Sequence, residues 1–415
     1  MIDPHQFPFD AKCHPEARPA QRITFVAQDC DEHTAFAALQ GANRHGNEFI
    51  GQALEKGAPF ILTDQEVERG LQVKDATVAL RSWARHQRDL HSQAVIGITG
   101  SAGKTTAKEY VRAAVDGVCT PGNLNTLNAI SCFLLEHARQ TSSPLVVEMG
   151  IDRIGEMQEL MALVAPDYGV VTAVGEAHLE FLGTVENVAV EKGGILKARK
   201  LGVVSQRCAK YYPGLPTYGM EQGTFQGRNL TFEPSQCQFQ FMGDAVTVPT
   251  TSQVVAEAAV LALGIASDLG IPVREAAERI HNVDVPGGRF RVHTGIVTLI
   301  DDTYNANPIS MRASLENLKH YSGRKLAVLG DMLELGQDAA EYHRSIGNYA
   351  QQYADLVFSV GEFAEQLSAH PHSDLQGLIQ TLRNEVRAGD VVLFKASRGV
   401  KLEQAVNAVR EVFGV

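Results

Sequence analysis

The sequence predicts an α/β chain of three units: a small amino-terminal α/β unit over 1–92, a central unit over 93–293 built on a mainly parallel sheet, and a doubly wound carboxy-terminal unit over 294–415. Three observations carry this. From residue 93 onward short apolar runs alternate with helix-length segments, the pattern of parallel strands covered on both faces. The alternation lapses over 203–250, where Gly-, Gln- and Phe-containing short strands crowd together, and resumes after about 294. At 415 residues the chain exceeds what one compact core holds.

The first unit follows from "AFAALQG" and "PFILTD", which have strand character, and from "NEFIGQALEKGA" between them. That segment puts Phe49, Ile50, Ala53 and Leu54 on one helical face, with Gly57 as the stop. The charged helix "ALRSWARHQRDLHSQ" leads out of it. The central series has strands at "QAVIGIT", "PLVVEMG" and "APDYGVVTAVG" and a helix at "KTTAKEYVRAAVDG". The Ala-rich helix "VVAEAAVLALGIASDLG" follows the short strands, and the unit closes at "VPGGRF". Strands at "IVTLIDDTY", "KLAVLGDM", "DLVFSVGE" and "GDVVLFKAS", each followed by a helix, make the third unit.

Composition narrows the function classes. A formal charge of −11 and the lack of any basic run argue against a nucleic-acid surface, so a bound anion must be held by local loops. Six scattered cysteines without CxxC or metal spacing read as free thiols in a reducing compartment. The amino terminus has acids, histidines and prolines in place of an apolar stretch, and no run approaches the roughly 18 residues of a membrane helix. A cytoplasmic protein without membrane insertion is expected.

The chemistry begins at "GITGSAGKTT", residues 97–106. Strand, glycines, Lys-Thr-Thr and amphipathic helix occur together, as in phosphate-binding loops, except that Ile98 stands where the first glycine usually is. Gly100 and Gly103 let the backbone of Ser101 and Ala102 fold closely, so that loop amides and the helix start face a phosphate. Lys104 adds a point charge, Thr105 a hydroxyl for Mg²⁺, and Thr106 continues the turn. The next two strands end near Glu148 and His178. Carboxyl ends of parallel strands share one edge, so these side chains should face the loop's crevice as two divalent-metal sites. Singly, such a Glu is more often a surface or capping group and such a His a structural one. Lys192, in "NVAVEKGGILKA", reads as an ordinary helix-surface lysine. In "IDDTYNANPISM", Asn307 caps a helix that starts at Pro308 and carries Met311, Leu315 and Leu318 on one face. Asp302, Tyr304 and Asn305 remain for ligand binding at the mouth of the second sheet, with Arg289 just before the domain junction.

In this order and spacing, "GITGSAGKTT", "VVEMG", "TAVGEAHLEFLG", "AVEKGGI", "PGGRF", "DDTYNANPISM" and "LGDMLELG" resemble the Mur ligase family. The likeness spans nearly the whole chain and is strongest from 93 to 336. It accounts for the missing glycine, since this family's loop has the short form TGxxGKT. The resemblance implies a UDP-substrate domain, a central P-loop ATPase domain and a Rossmann-like domain. It implies ATP held by residues 100–106 with Arg289, Asp302, Tyr304 and Asn305, and two Mg²⁺ held by Thr105, Glu148, His178 and a carbamylated Lys192. Lys104, His178, Lys192 and Arg289 become the catalytic set. Asn123 and Asn125 of "GNLNTLNAI", with Asn307, Ser397 and Arg398, become substrate contacts. From the residues alone, "GNLNTLNAI" reads equally as an Asn-rich loop before a helix.

The implied activity is an ATP-dependent acid–amino-acid ligase of peptidoglycan precursor synthesis, a monomer whose partners are UDP-N-acetylmuramoyl-tripeptide and D-alanyl-D-alanine. A carboxylate attacks the γ-phosphoryl group to give an acyl phosphate, and an amine displaces phosphate. No protein nucleophile is needed, in keeping with the lack of a Ser/His/Asp or Cys/His signature. A carbamate at Lys192 would replace a repelled ammonium by an anionic oxygen ligand. Four stretches depart from the family pattern: "FVAQ" at 25–28 stands in place of the uridine-end motif, "SQVVA" at 252–256 replaces an Asn-bearing helix start near adenine, Lys192 is followed by Gly193-Gly194, and the late Lys-Gly-Ser reads Lys395-Ala396-Ser397. These leave a second reading, a divergent Mur-type ligase acting on a different carboxylate outside the cell-wall pathway. A guanine-reading switch would need Asn-Lys-x-Asp, which is absent.

Overall fold

The computed structural model describes residues 1–415 apart from Ala42, Pro234, Pro286 and Val415. Three sheets follow one another along the chain. The first runs Lys12–Cys13, Gly70–Gln72, Ile61–Thr63, Thr34–Ala37, Arg22–Thr24 in spatial order, parallel except for the pairing of its first two strands. In the expected helical segment a one-turn 3-10 piece, Gly46–Phe49, precedes the helix Ile50–Glu55, and Gly57 ends it at φ 90°.

Nine strands form the central sheet. From Val118–Cys119 at one edge, the order runs Leu145–Glu148, Val95–Thr99, Tyr168–Val171, Leu201–Ser205, Thr217–Met220 and Phe225–Phe232, all parallel. Cys237–Phe241 and Asp244–Val248 then continue the sheet antiparallel. The sheet is mainly parallel, as expected, and the crowded stretch over 203–250 extends it; its last two strands turn antiparallel because their connections are too short for a crossover helix. Alternate residues of the buried strands serve opposite faces. Val95, Val147 and Val171 join one apolar cluster, whereas Ile96, Ile98, Val146 and Val170 join another under the helix Gln253–Asp268.

The first cluster does not stop at the central sheet. It runs through the helices Ala76–Leu90 and Leu127–His137 to Phe60, Leu62 and Leu71 of the first sheet. Arg88, 2% exposed, anchors the former helix: its Nε and Nη2 donate to Val164 O and Ala165 O, both at 2.8 Å, and Nη2 meets Asp167 at 3.2 Å. Buried carbonyls that would otherwise lack donors are satisfied by a guanidinium whose charge is paired.

The third sheet is ordered Arg291–Thr294, Thr298–Asp302, Val391–Lys395, Lys325–Gly330, Leu356–Val360, His370–His372, with only the first pairing antiparallel. Its first strand starts at Arg291, just before the expected opening of the third unit. Met311, Leu315 and Leu318 are fully buried on one face, as the sequence spacing requires. All six cysteines are free, and none of the described helices is long and apolar enough to cross a membrane.

Candidate active site

The loop 100–103 leaves the buried strand Val95–Thr99 and enters the helix Lys104–Ala114 directly. Ile98 is a fully buried strand residue, so the loop starts later than the usual motif would place it. Gly100 performs the close turn: a Cβ there would lie 2.0 Å from Thr172 Oγ1 and 3.0 Å from Ala173 N. Gly103 has φ 78°, a region glycine enters without strain. The neighbouring strand end clamps the loop. Ser101 N donates to Ala173 O at 2.8 Å, Ser101 Oγ to Gly175 O at 3.1 Å, and Thr172 Oγ1 to Ala102 O at 2.6 Å.

Beyond the loop, Lys104 Nζ folds back onto Gly100 O at 2.7 Å. Burial lowers its pKa, opposed by the charge of Glu148. Thr105 Oγ1 donates to Glu148 Oε2 at 2.8 Å, and Asn125 Nδ2 to Glu148 Oε1 at 3.0 Å. The carboxylate is 1% exposed and faces the crevice at its strand end, as parallel pairing predicts. His178 sits at φ 54° as the residue preceding the short helix Leu179–Leu182. Its Nδ1 lies 2.8 Å from Glu334 Oε2 and 3.2 Å from Asp152 Oδ1. The hydrogen bond from His178 is the main cause that holds the Glu334 carboxyl below its ordinary range.

Lys192 overturns its surface reading. It is fully buried on the helix Val185–Gly193, and its Nζ has no hydrogen-bond partner among the described residues. Burial, reinforced by the nearby Lys104 charge, pulls its pKa well down.

The third sheet supplies the opposite wall. Asn307 Oδ1 caps the helix Pro308–Asn317 by accepting from Ser310 N at 2.9 Å, while its Nδ2 crosses to Ser101 O at 2.8 Å. Ile309 fills the space over Gly175, where a Cβ would sit 2.0 Å from its Cδ1. The Arg289 guanidinium stacks on the Tyr304 ring at 3.5 Å, and Arg398 lies over the same ring at 5.5 Å. Gly288 must be glycine because Asp301 Oδ1 would stand 2.4 Å from its Cβ; Pro286, also of "VPGGRF", lies outside the described residues. Asp302 accepts from Lys395 Nζ at 2.7 Å and from Phe290 N at 3.2 Å. Asn305 Oδ1 accepts from Ala306 N at 2.9 Å.

Between these walls lies a cleft of about 600 Å³. Ser101 to Thr106, Asn123, Asn125, Glu148, His178, Arg289, Asp302, Tyr304, Asn305 and Asn307 all line it. Gly100 lies beneath the loop and Lys192 within the protein, outside the lining. Ser397 and Arg398 are not brought into the lining either. The Ser397 hydroxyl is committed to the fold, accepting from Leu333 N at 3.0 Å and donating to Ala306 O at 3.3 Å.

Among the charged residues of the cleft that escaped sequence reasoning are Asp152, Glu334, Arg207 and Glu257. Glu334 lies in the quoted "LGDMLELG", but its partner His178 is far away in sequence. Arg207 and Glu257 form a two-pronged pair at 2.7 and 2.9 Å, and Gln253 Nε2 adds a third donor to Glu257 at 3.1 Å. Among the described residues no cluster of three or more His, Cys, Asp or Glu forms a ready-made metal cage. The oxygen donors of Thr105 and Glu148 suit instead a hard cation that keeps water and phosphate ligands.

Comparison with known proteins agrees with this arrangement. Residues 98–261 match the Mur ligase middle domain and residues 288–398 the Mur ligase, glutamate ligase domain. The UDP-N-acetylmuramoyl-tripeptide--D-alanyl-D-alanine ligase of Treponema pallidum is 31% identical, with 95% of each chain covered. That of Bacillus subtilis is 30% identical, covering 92% of this chain and 91% of that protein. The crystal structure of MurF ligase from Thermotoga maritima in complex with ADP superposes with a TM-score of 0.85 at 28% identity, covering 95% of this chain and 98% of that one. With the phosphate loop and a Tyr-Asn-x-Asn segment lining one cleft, and with both matched domains covering most of its length, the chain belongs to the Mur ligase family.

Proposed function

We propose that the cleft binds ATP and activates a substrate carboxylate, and that the chain adds D-alanyl-D-alanine to UDP-N-acetylmuramoyl-tripeptide. The observation that carries this reading is the Asn307–Ser101 hydrogen bond. It joins the phosphate loop to the start of the helix Pro308–Asn317, just beyond Tyr304, so that residues of both sheets line one cleft. The printed activity of the Treponema and Bacillus relatives supports the substrate pair, and the ADP of the Thermotoga structure supports the nucleotide.

The residues fit the groups the family implies. Thr105 and Glu148 would hold one Mg²⁺, and His178 with Lys192 a second. A cation held there would supply neutralisation of the phosphate oxygens. The Lys192 amine, without a hydrogen-bond partner among the described residues and with its pKa pulled well down by burial, suits addition of CO₂: a nitrogen–carbon bond forms, one proton leaves, and the buried nitrogen becomes a carbamate. The protein's own work is positioning. Loop amides, Lys104 and Arg289 present positive charge to the transferring phosphoryl group. The substrate carboxylate attacks γ-phosphorus, ADP leaves, and the amine then displaces phosphate from the acyl phosphate. The third sheet covers the loop and excludes water from that intermediate.

A second reading, ligation of a different carboxylate, rests on the first unit. At the family's uridine end this chain has half-exposed Phe25 and Val26 and an apolar, buried Ala27. Phosphate release with Mg²⁺ separates the two. The first reading requires UDP-muramoyl-tripeptide and D-alanyl-D-alanine together, whereas turnover with another acid and neither of these establishes the second. Lys192→Ala should abolish turnover and be partly rescued by a short free carboxylate; full activity in that variant removes the carbamate site.

A further inference from the structure

Lys108 lies one turn beyond Thr105 on the phosphate-loop helix, is fully buried, and has no task in the chemistry above. Its ammonium donates to Thr120 O at 2.6 Å and to Gly122 O at 2.7 Å. It also stands 3.3 Å from Glu109 Oε1 and 3.9 Å from Glu148 Oε2. A methionine or leucine would fill this space without desolvating a charge. What only the ammonium supplies is a fastening for the two carbonyls.

Those carbonyls begin the loop that carries Asn123 and Asn125. Residues 121–124 are exposed and belong to no helix or strand, the condition in which a loop is ordinarily mobile. Its far end is fastened as well. Asn125 O accepts from Gly150 N at 3.1 Å, and Asn125 Nδ2 donates to Glu148 Oε1. At Gly150 a Cβ would meet the Asn125 carboxamide at 2.7 Å, so only glycine admits this approach. Glu148 N in turn donates to Thr120 Oγ1 at 3.0 Å. Loop, carboxylate and phosphate helix thus form one hydrogen-bonded unit with Lys108 beneath it.

We infer that Lys108 is a positioning residue: it holds the 120–125 loop so that Asn123 and Asn125 are presented to the acyl substrate in register with the Thr105–Glu148 pair. This rests on the reading above that the loop faces the acyl substrate.

Lys108→Met keeps the side chain's length and removes its donors. Amide hydrogen exchange over 121–125 should accelerate while the helix Lys104–Ala114 stays protected. The KM for UDP-muramoyl-tripeptide should rise about tenfold or more, the loss expected when charge-assisted hydrogen bonds order a binding loop. The KM for MgATP should change less than about threefold by the same scale. Unchanged loop exchange overturns the inference, as does an equal rise of both KM values with protection lost throughout, which marks a core strut. Should Lys108→Met fail to fold, Lys108→Gln, whose shorter, neutral side chain cannot hold both Thr120 O and Gly122 O, takes its place; unaltered exchange at 121–124 in that variant also overturns it. Because exchange needs no turnover, an enzyme that ignores UDP-muramoyl-tripeptide would sink the functional reading without hiding the result for Lys108.

Discussion

Asn307 Nδ2 donates to the carbonyl oxygen of Ser101 at 2.8 Å while Asn307 Oδ1 caps its own helix, so one carboxamide serves both the third sheet's helix start and the phosphate loop. Asp at this position would cap as well but would set a carboxylate oxygen against the Ser101 carbonyl. Asn307→Asp should therefore melt within about 1 kcal/mol of the parent, as expected for a retained cap. Its kcat/KM for ATP should fall at least about tenfold, the loss of one buried hydrogen bond plus repulsion. Steady-state ADP release and a thermal melt on the same sample check both halves.

The displaced glycine gives a paired prediction. Gly100→Ala must push Thr172 away from Ala102, and ADP affinity, read by calorimetry, should drop at least about tenfold by loss of that clamp. Ile98→Gly recreates the common loop spelling but empties a fully buried strand position. It should cost about 3 kcal/mol or more without improving nucleotide affinity.

His343 gives a pH dependence. Its Nε2 accepts from Met332 N at 2.8 Å and its Nδ1 faces Ala339 O at 2.6 Å. An amide can only donate and a carbonyl only accept, so the buried ring is the neutral Nδ1–H tautomer. Burial lowers its pKa below the ordinary histidine value. The unfolded chain therefore binds the proton more readily, and this site's stabilisation is present above the ordinary histidine range and lost as pH falls through the depressed folded value. Between pH 7.5 and 5.5 the parent's unfolding free energy should decline by about 1 kcal/mol more than that of His343→Gln, within the limit of one proton per site. Denaturant titrations at the two pH values supply the comparison.

Glu257 is nearly buried and holds Arg207 through both oxygens. Removing it leaves a partly buried guanidinium in the cleft wall without its partner. Glu257→Ala should lose about 1–3 kcal/mol of stability, less than for a fully buried pair because Arg207 is partly exposed. Conversion of both residues to apolar ones should recover part of that loss. Melts of the single and double variants form the cycle that tests it.

Much of this architecture was legible because buried parallel strands spell themselves as apolar runs. The strand Val95–Thr99 and its glycine loop, the strand end at Glu148, and the Asn307 cap before Pro308 each follow from local spacing. Two kinds of feature escaped. Burial at Lys192 depends on what packs over its helix, which charge pattern along that helix does not reveal. The His178–Glu334 and Arg207–Glu257 pairs join residues far apart in sequence, and a lone acidic residue carries no local mark of its partner. The antiparallel end of the central sheet was hidden by short strands whose turns resemble loops.

The order of strands in the third sheet has a consequence for biosynthesis. Val391–Lys395 is the last strand to be made yet lies between Thr298–Asp302 and Lys325–Gly330. Neither neighbour can complete its pairing until nearly the whole polypeptide has left the ribosome. The central sheet, whose strands are all made by Val248, has every partner in hand well before then. A chain interrupted shortly before residue 391 would carry a finished nucleotide cradle facing an unclosed sheet, with two bare strand edges open to association with other nascent chains.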